Sequence, residues 1–469
     1  MNTQLPQLIR NRRPLVYCVT NYVTMDWIAR GLLAAGARPI MTLDPGEATL
    51  MGGIASGVLL NMGTWSPTLQ QTMLAAGKAA NAKGVPVVLD PVGAGGLETR
   101  THLAHELLEN VKVAAIRGNA GEIAALAGNS GLVRGVDSLA AATDHVVAAA
   151  RQVARRYHCI VAATGPVDVI SDGTRTLVVR SGHSLMGDIP GAGCLGGALV
   201  AAALGAAAPD ADRLQVVADL HLLAGTAGEL AAARSSGPGT FEPAYLDALA
   251  SLQSLSAGRI TPPLSERLGV YVIVNGSTPM DVLEQVLAAG AGTIQFREKQ
   301  MPLLKQIEVA TAMQDLCHRY EALFLINDRV DLAQILSADG VHVGQDDLPV
   351  TEARRLLGPN AIIGSSCATP DEARIALAQG ADYIGTGPVY ATPTKADAGD
   401  PVGPAAIAAA TGAVALPVVG IGGIAPGNAA PVIQAGACGV SVISSVVNAA
   451  DPGAATRALL AEVQSAKGV

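Results

Sequence analysis

Residues 271–299 read YVIVNGSTPMDVLEQVLAAGAGTIQFREK. An apolar run opens at Tyr271 and a second near Thr293, an interval of 22 residues that has room for a strand, a loop and a helix before the next strand. Downstream, further strand-like runs begin near residues 323, 341, 362, 383, 417 and 440, after intervals of 30, 18, 21, 21, 34 and 23 residues. Eight such units predict a closed (β/α)8 TIM barrel, with a doubly wound sheet as the alternative arrangement of the same alternation. In a barrel, strand ends and the loops after them converge on one face. Arg297, Asp328, Asp347, Ser366 and Lys395 are therefore predicted to share one pocket despite their distance along the chain.

Upstream of the barrel pattern, SLQSLSAGRITPPLSERL carries Pro262 and Pro263, which interrupt helix. The expected organisation is a first domain over residues 1–250, a linker over 251–268 and the barrel domain over 269–469. In the first domain, short apolar runs at Pro39–Met41, Val58–Asn61, Val85–Asp90, Val113–Arg117 and Ile160–Thr164 alternate with Ala- and Leu-rich segments. That rhythm predicts a layered α/β domain whose functional loops follow strands.

Bulk properties bound the function. A length of 469 residues accommodates two α/β cores. With 31 Lys plus Arg against 39 Asp plus Glu, the formal charge is -8, and without a basic block a nucleic-acid partner has no electrostatic support. The six cysteines lack close paired spacing, which fits a reduced cytoplasmic protein. Arg10, Arg12 and Arg13 lead into mixed, patterned sequence and not into a secretory apolar core. Gly191–Ala208 is a run of 18 uncharged residues, but its Gly and Ala content reads as a turn entering a buried helix and not as a membrane span.

Three strings in the first domain carry phosphate chemistry. LDPVGAG sets Asp90 after an apolar strand and before glycines that let a phosphate or metal approach the backbone; an ordinary strand-to-helix turn would look the same. RGNAGE adds a cation at Arg117 and a carboxylate at Glu122, a combination also found in solvated loops. GDIPGAGC ends at Cys194 before the Ala-rich helix, where backbone amides could stabilise a transferring phosphate, although a buried inert cysteine is equally compatible.

Taken with VYCVTNYVTM, ARPIM, LLNMGT, VVLDPVGAG, IRGNAGE and AATG, the GAGC string makes residues 10–250 resemble the hydroxyethylthiazole kinase family, of the ribokinase-like group. The resemblance implies that Met41 and Gly191 contact the thiazole alcohol hydroxyethylthiazole, that Arg117 and Thr164 contact ATP, and that Asp90 and Glu122 organise Mg2+ and phosphate-linked water. It also implies a homotrimer formed through this domain. Cys194 stands where related sugar kinases carry an aspartate base. A helix entrance lowers a thiol pKa and a nearby triphosphate raises it, so Cys194 could accept the alcohol proton or position the hydroxyl. Asp26, Trp27, Pro190 and the Asp44-Pro45-Gly46 turn depart from the family pattern and bear on substrate preference.

In the barrel domain, QFREK alternates Gln295, Arg297 and Lys299 towards one side of an extended segment. LINDRVD and HVGQDD bring Asn327, Asp328 and Asp347 to the next strand ends, where two carboxylates could hold Mg2+ against a diphosphate or could serve as a helix cap and a solvated charge. GPVYATPTKAD presents Thr392, Thr394 and Lys395 on a loop, and IGGI and SVISS place Gly423, Ile443 and Ser444 in the last two units, a recurrent phosphate-binding location. In this order, the strings make residues 269–469 resemble thiamine phosphate synthase. The resemblance implies that Gln295, Arg297, Lys299, Asn327, Ser366 and Lys395 bind the aminopyrimidine diphosphate, that Asp328 and Asp347 hold Mg2+, and that Thr392, Thr394, Gly423, Ile443 and Ser444 surround thiazole phosphate. Arg297 and Lys395 would stabilise charge on the departing diphosphate, and Asn275 departs from an acidic residue often found there. The competing readings are a divergent ribokinase-like kinase fused to the synthase and a non-catalytic thiazole-phosphate sensor.

Overall fold

A computed structural model of the chain describes residues 2–128, 139–256, 259–392 and 399–468. It forms two compact units, the first holding the described residues up to 128 and those from 145 to 262, the second holding residues 139–144 and the described residues from 263 onward.

The first unit is built on a nine-stranded sheet. From one edge the strands are Arg38–Ile40, Leu15–Val19, Gly57–Asn61, Val87–Asp90, Ala115–Asn119 and Ile160–Thr164, all parallel, followed by Asp168–Ser171, Thr176–Val179 and Ile260–Thr261, which are antiparallel. The central strands are buried on both faces, as parallel strands covered by helices must be. Side chains alternate accordingly: Leu59 and Val88 join a cluster with Leu199 and Leu220, while Val58, Leu60 and Leu89 join one with Met73 and Leu107. The helix Ala192–Ala206 lies close on the sheet because its residues are small; a Cβ on Gly197 would sit 3.0 Å from Leu59 Cδ1. This is the turn and buried helix expected over 191–208, and among the described residues no helix is long and apolar enough to cross a membrane.

Each apolar run read as a strand in this unit overlaps one. Leu15–Val19 and the two antiparallel strands after Thr164 were not among those runs. Within 251–268, Leu255–Ser256 pairs with Asn2–Thr3 and Ile260–Thr261 pairs with Val178–Val179, so short stretches of this segment complete the first unit.

In the second unit, Val270–Val274, Thr293–Phe296, Leu323–Asn327, Gly340–Val343, Ile362–Ser366, Tyr383–Thr386, Val418–Ile421 and Gly439–Val442 close into a barrel. Every onset lies within one residue of its expected position. Pairing of Val270–Val272 with Val440–Val442 joins the last strand to the first and rules out the open doubly wound alternative. Outward side chains such as Val272, Ile294, Phe324 and Val341 pack under the helices, while Tyr271, Ile273, Leu325, Tyr383 and Val419 fill the lumen.

The edge of the first unit's sheet is fastened by charge. Arg259, just before the edge strand, reaches Glu229 of the helix Arg213–Ala232 through two donors at 2.7 and 2.5 Å and also donates to the Arg180 carbonyl. The Arg259 guanidinium, with the Gly182 amide, holds the Glu229 carboxyl below its usual pKa. Because the folded-state pKa is depressed, the stabilisation is present above the unfolded glutamate value and is lost as pH falls through the folded one. Glu229→Gln is expected to destabilise this unit by about 1 kcal/mol near neutral pH, since both partners are partly exposed. Denaturant titrations of both proteins over a falling pH series should show that difference shrinking towards zero in the acid range; a constant difference would mean that the pair contributes through shape alone.

Candidate active sites

In the first unit, the C-terminal ends of neighbouring strands bring polar groups together. Asp90, 3% exposed, ends its strand and accepts from Asn61 Nδ2 at 2.8 Å. The Asn61 carbonyl oxygen accepts from Asn21 Nδ2 at 3.0 Å, and the same Asn21 nitrogen lies 3.5 Å from Cys194 Sγ. A buried amide chain thus links the carboxylate to the thiol. Asn21 and Asn61 lie within motif strings but had been given no role, because an asparagine's contribution depends on what it bridges.

Burial pushes Asp90 up to about 7, opposed by Arg117 and Asn61 and reinforced by Glu122. Burial and then the Asp90 charge also raise the Cys194 thiol above its ordinary value. The lowering expected from the helix entrance is therefore outweighed at Cys194.

Gly191 heads the helix at φ 85°, and a Cβ there would lie 2.4 Å from Thr24 Cγ2, so glycine is required twice over. Arg117 crosses the first turn, with Nη1 donating to the Gly193 carbonyl at 2.8 Å. Its buried Nε has no hydrogen-bond partner among the described residues, which leaves a cation with donor capacity at the helix start. Thr164 donates to the Gly118 carbonyl at 3.2 Å, one residue beyond Arg117. Glu122 accepts from the Asn119 amide at 2.8 Å in a capping box and from the Gly93 amide at 3.0 Å. Its oxygens organise the glycine turn directly and any cation would have to share them. Met41 follows its strand and is half-buried against the cluster containing Trp27 and Leu195. Asp26 is exposed and paired with Arg30 at 2.7 Å, whereas Trp27 is buried beneath the Gly191 turn.

In the barrel unit, one cavity of about 910 Å³ opens at the C-terminal ends of the strands. Gln295, Arg297, Lys299, Asn327, Asp328, Asp347, Ser366, Thr392, Gly423, Ile443 and Ser444 all line it, so Arg297, Asp328, Asp347 and Ser366 share one pocket. Thr394 and Lys395 lie outside the described residues. Asn275 forms a local turn, accepting from Ser277 N at 3.0 Å.

Asp328 sits at φ 61°, in left-handed backbone that is uncommon for a non-glycine residue. Burial first, and then the hydrogen bond and charge of Asp347, raise its pKa, with Lys299 and Arg297 opposing. Asp347 is fixed in turn by the Gly344 amide at 2.8 Å. Two carboxylates pressed into contact need a shared proton or a cation. Magnesium is commonly held by one or two protein carboxylates with substrate phosphates completing the shell, so this donor pair fits it. Among the described residues no group of three or more His, Cys, Asp or Glu is arranged for a metal.

Sequence reading missed several supports of this cavity. Glu298 accepts from the amides of Gln300, Met301 and Gly276, which fixes the turn carrying Arg297 and Lys299. Tyr271, His342 and Tyr383 also line the cavity. A Cβ on Gly423 would meet Ala391 O at 2.5 Å, so this glycine is required by the protein's own loop as well as by any ligand.

The hydroxyethylthiazole kinase family model matches residues 7–254, and the thiamine monophosphate synthase model matches residues 270–446. Across the full length, the chain is 59% identical over 473 residues to the thiamine biosynthesis bifunctional protein ThiM/ThiE of Symbiobacterium thermophilum, covering 99% of this chain and 98% of that protein. The hydroxyethylthiazole kinase of Nitratidesulfovibrio vulgaris strain DP4 is 46% identical over 52% of this chain and 90% of its own length. The thiamine-phosphate synthase of Moorella thermoacetica is 48% identical over 42% of this chain and 97% of its own. With two strand-end sites and two family matches in the same order, the chain belongs to the bifunctional thiamine biosynthesis proteins, a hydroxyethylthiazole kinase family member at its N-terminal end and a thiamine monophosphate synthase at its C-terminal end.

Proposed function

We propose that the first domain, a ribokinase-like kinase, phosphorylates hydroxyethylthiazole with ATP, and that the barrel joins the resulting phosphate to aminopyrimidine diphosphate, giving thiamine phosphate and diphosphate. The observation that carries this reading is the occurrence, in one chain, of the Asp90–Asn61–Asn21–Cys194 site and the Arg297, Lys299, Asp328 and Asp347 cavity.

In the kinase half, Arg117 and the amides after Gly191 are suited to charge developing on the transferring phosphoryl group, with Asp90 beside them. Asp90 and Glu122 in one half and Asp328 and Asp347 in the other would hold magnesium, which would supply neutralisation of the phosphate charge there. Because the Cys194 thiol is raised, it acts by positioning the alcohol through Asn21 and not as a ready base. In the synthase half, Arg297 and Lys299 draw in the diphosphate and stabilise it as it leaves, while Gly423 and Ser444 lie across the same cavity for the second phosphate. The bond forms between the thiazole nitrogen and the pyrimidine methylene carbon as the carbon–oxygen bond to diphosphate breaks, so no protein nucleophile is needed.

Mass-resolved product analysis on the full chain tests the assignment. Thiamine phosphate should form from the thiazole alcohol only when ATP is present, and from thiazole phosphate without ATP. A folded protein that binds both ligands and forms no product would instead be a sensor, and phosphorylation of a sugar but not of the thiazole would reject the kinase substrate.

The role given to Cys194 has its own check. Cys194→Ser, which can still meet Asn21, should keep kinase kcat within about tenfold, whereas Cys194→Ala should lose more because the Asn21 donor is left unanswered. Equal activity of the alanine variant and the wild type would remove the thiol from the reaction.

A further inference from the structure

A continuous hydrogen-bonded chain of side chains runs through the barrel lumen beneath the cavity. Gln295 Nε2 donates to Tyr271 Oη at 2.6 Å. The Tyr271 and Tyr383 hydroxyls are 3.0 Å apart and connect strands that are not neighbours in the barrel. Tyr383 Oη lies 2.9 Å from His342 Nδ1, and His342 Nε2 lies 3.0 Å from Ser366 Oγ. Both ends, Gln295 and Ser366, line the cavity.

The room for this chain is supplied by glycine. A Cβ on Gly364 would sit 2.1 Å from Tyr383 Cζ and 2.5 Å from His342 Nδ1, at the joint between the two rings. A Cβ on Gly385 would sit 3.2 Å from His342 Cε1 on another side of the imidazole. The strand register sets the arrangement, with Gly364 paired between His342 and Tyr383.

Proton counting fixes the direction of the chain. The Gln295 amide nitrogen only donates, so Tyr271 oxygen accepts from it. Tyr271 is 2% exposed, and its own proton has the Tyr383 oxygen as its acceptor; were Tyr383 to donate instead, the Tyr271 proton would be stranded in the lumen. Tyr383 then donates to His342 Nδ1, and a neutral imidazole that accepts there carries its proton on Nε2 and donates to Ser366. Burial raises both tyrosine hydroxyls above their ordinary pKa, so each retains its proton.

The geometry points to a relay in which Tyr271, Tyr383 and His342 are positioning residues that hold Ser366 as a hydrogen-bond donor towards a diphosphate oxygen and tie that orientation to Gln295, which lines the same cavity. It rests on the proposed synthase reading of this cavity. Ser366 accepts a hydrogen bond from His342 and donates one through its own O–H, keeping its proton, to an oxygen of the leaving group, where the developing negative charge makes it count most.

The test is a double-mutant cycle in the full chain, reading synthase turnover with magnesium, aminopyrimidine diphosphate and thiazole phosphate. Tyr383→Phe keeps the ring and removes the relay's central hydroxyl; kcat should fall about tenfold while KM for thiazole phosphate stays within about twofold. Ser366→Ala should cost at least as much, and the double variant should be no worse than Ser366→Ala, because the tyrosine acts through the serine. Should Tyr383→Phe fail to fold by thermal melting, His342→Met serves in its place with the same expected pattern. Wild-type turnover combined with unchanged Tyr383→Phe kcat, or with multiplicative losses in the double variant, overturns the relay alone. A wild-type chain that makes no thiamine phosphate overturns the site reading and the relay with it.

Discussion

Asp328 and Asp347 cannot both carry full charge in contact unless something positive answers them, and the rest of the barrel site is arranged around that constraint. Asp328, in left-handed backbone, lines the cavity, and the Gly344 amide fixes the Asp347 carboxylate. Lys299 and Arg297 oppose the rise in the Asp328 pKa, but burial and Asp347 outweigh them. The arrangement holds cationic side chains and a cation-seeking pair of carboxylates around one opening, which suits a diphosphate that must be bound before reaction and stabilised more strongly as it departs.

The kinase half solves a related problem differently. Its acid, Asp90, is single and buried, and burial raises its pKa more than Arg117 and Asn61 lower it. Two amides carry the influence of that carboxylate to Cys194, while Arg117 and the Gly191 turn supply the positive side of the site. Both halves thus place the groups proposed to handle phosphate at the C-terminal ends of parallel strands, where loops and helix starts leave backbone donors available.

Most of the barrel was legible because its strands are apolar runs repeated at near-regular intervals, and every onset fell within one residue of its expected place. The strand Leu15–Val19 was read as part of a motif string and so was not counted, and Asp168–Ser171 and Thr176–Val179 are four-residue strands joined by a turn, the first with only Val169 and Ile170 as apolar signal and the second with a run of three, Leu177–Val179. Polar groups at or near the strand ends were legible for the same reason that the strands were: Gln295, Asp328, Asp347 and Ser366 lie at or just beyond the last residues of apolar runs. Tyr271, His342 and Tyr383 were not, since inside a strand an aromatic reads as core. Their link is set by parallel register and by space left at Gly364, and neither can be read from one strand at a time. Glu298 was hidden within QFREK because its task is to accept backbone amides that become neighbours only when the turn forms.

The central claim, that the two carboxylates of the barrel exist to share a divalent cation with the diphosphate, is tested most directly by substituting manganese for magnesium. Crystals of the full chain with Mn2+ and aminopyrimidine diphosphate would locate the ion by its anomalous scattering. The account predicts an ion bound by both Asp328 and Asp347 and by diphosphate oxygens, with Arg297 and Lys299 facing the same diphosphate. A diphosphate seated in the cavity with the manganese elsewhere, or with the two carboxylates still bonded to each other, would contradict it.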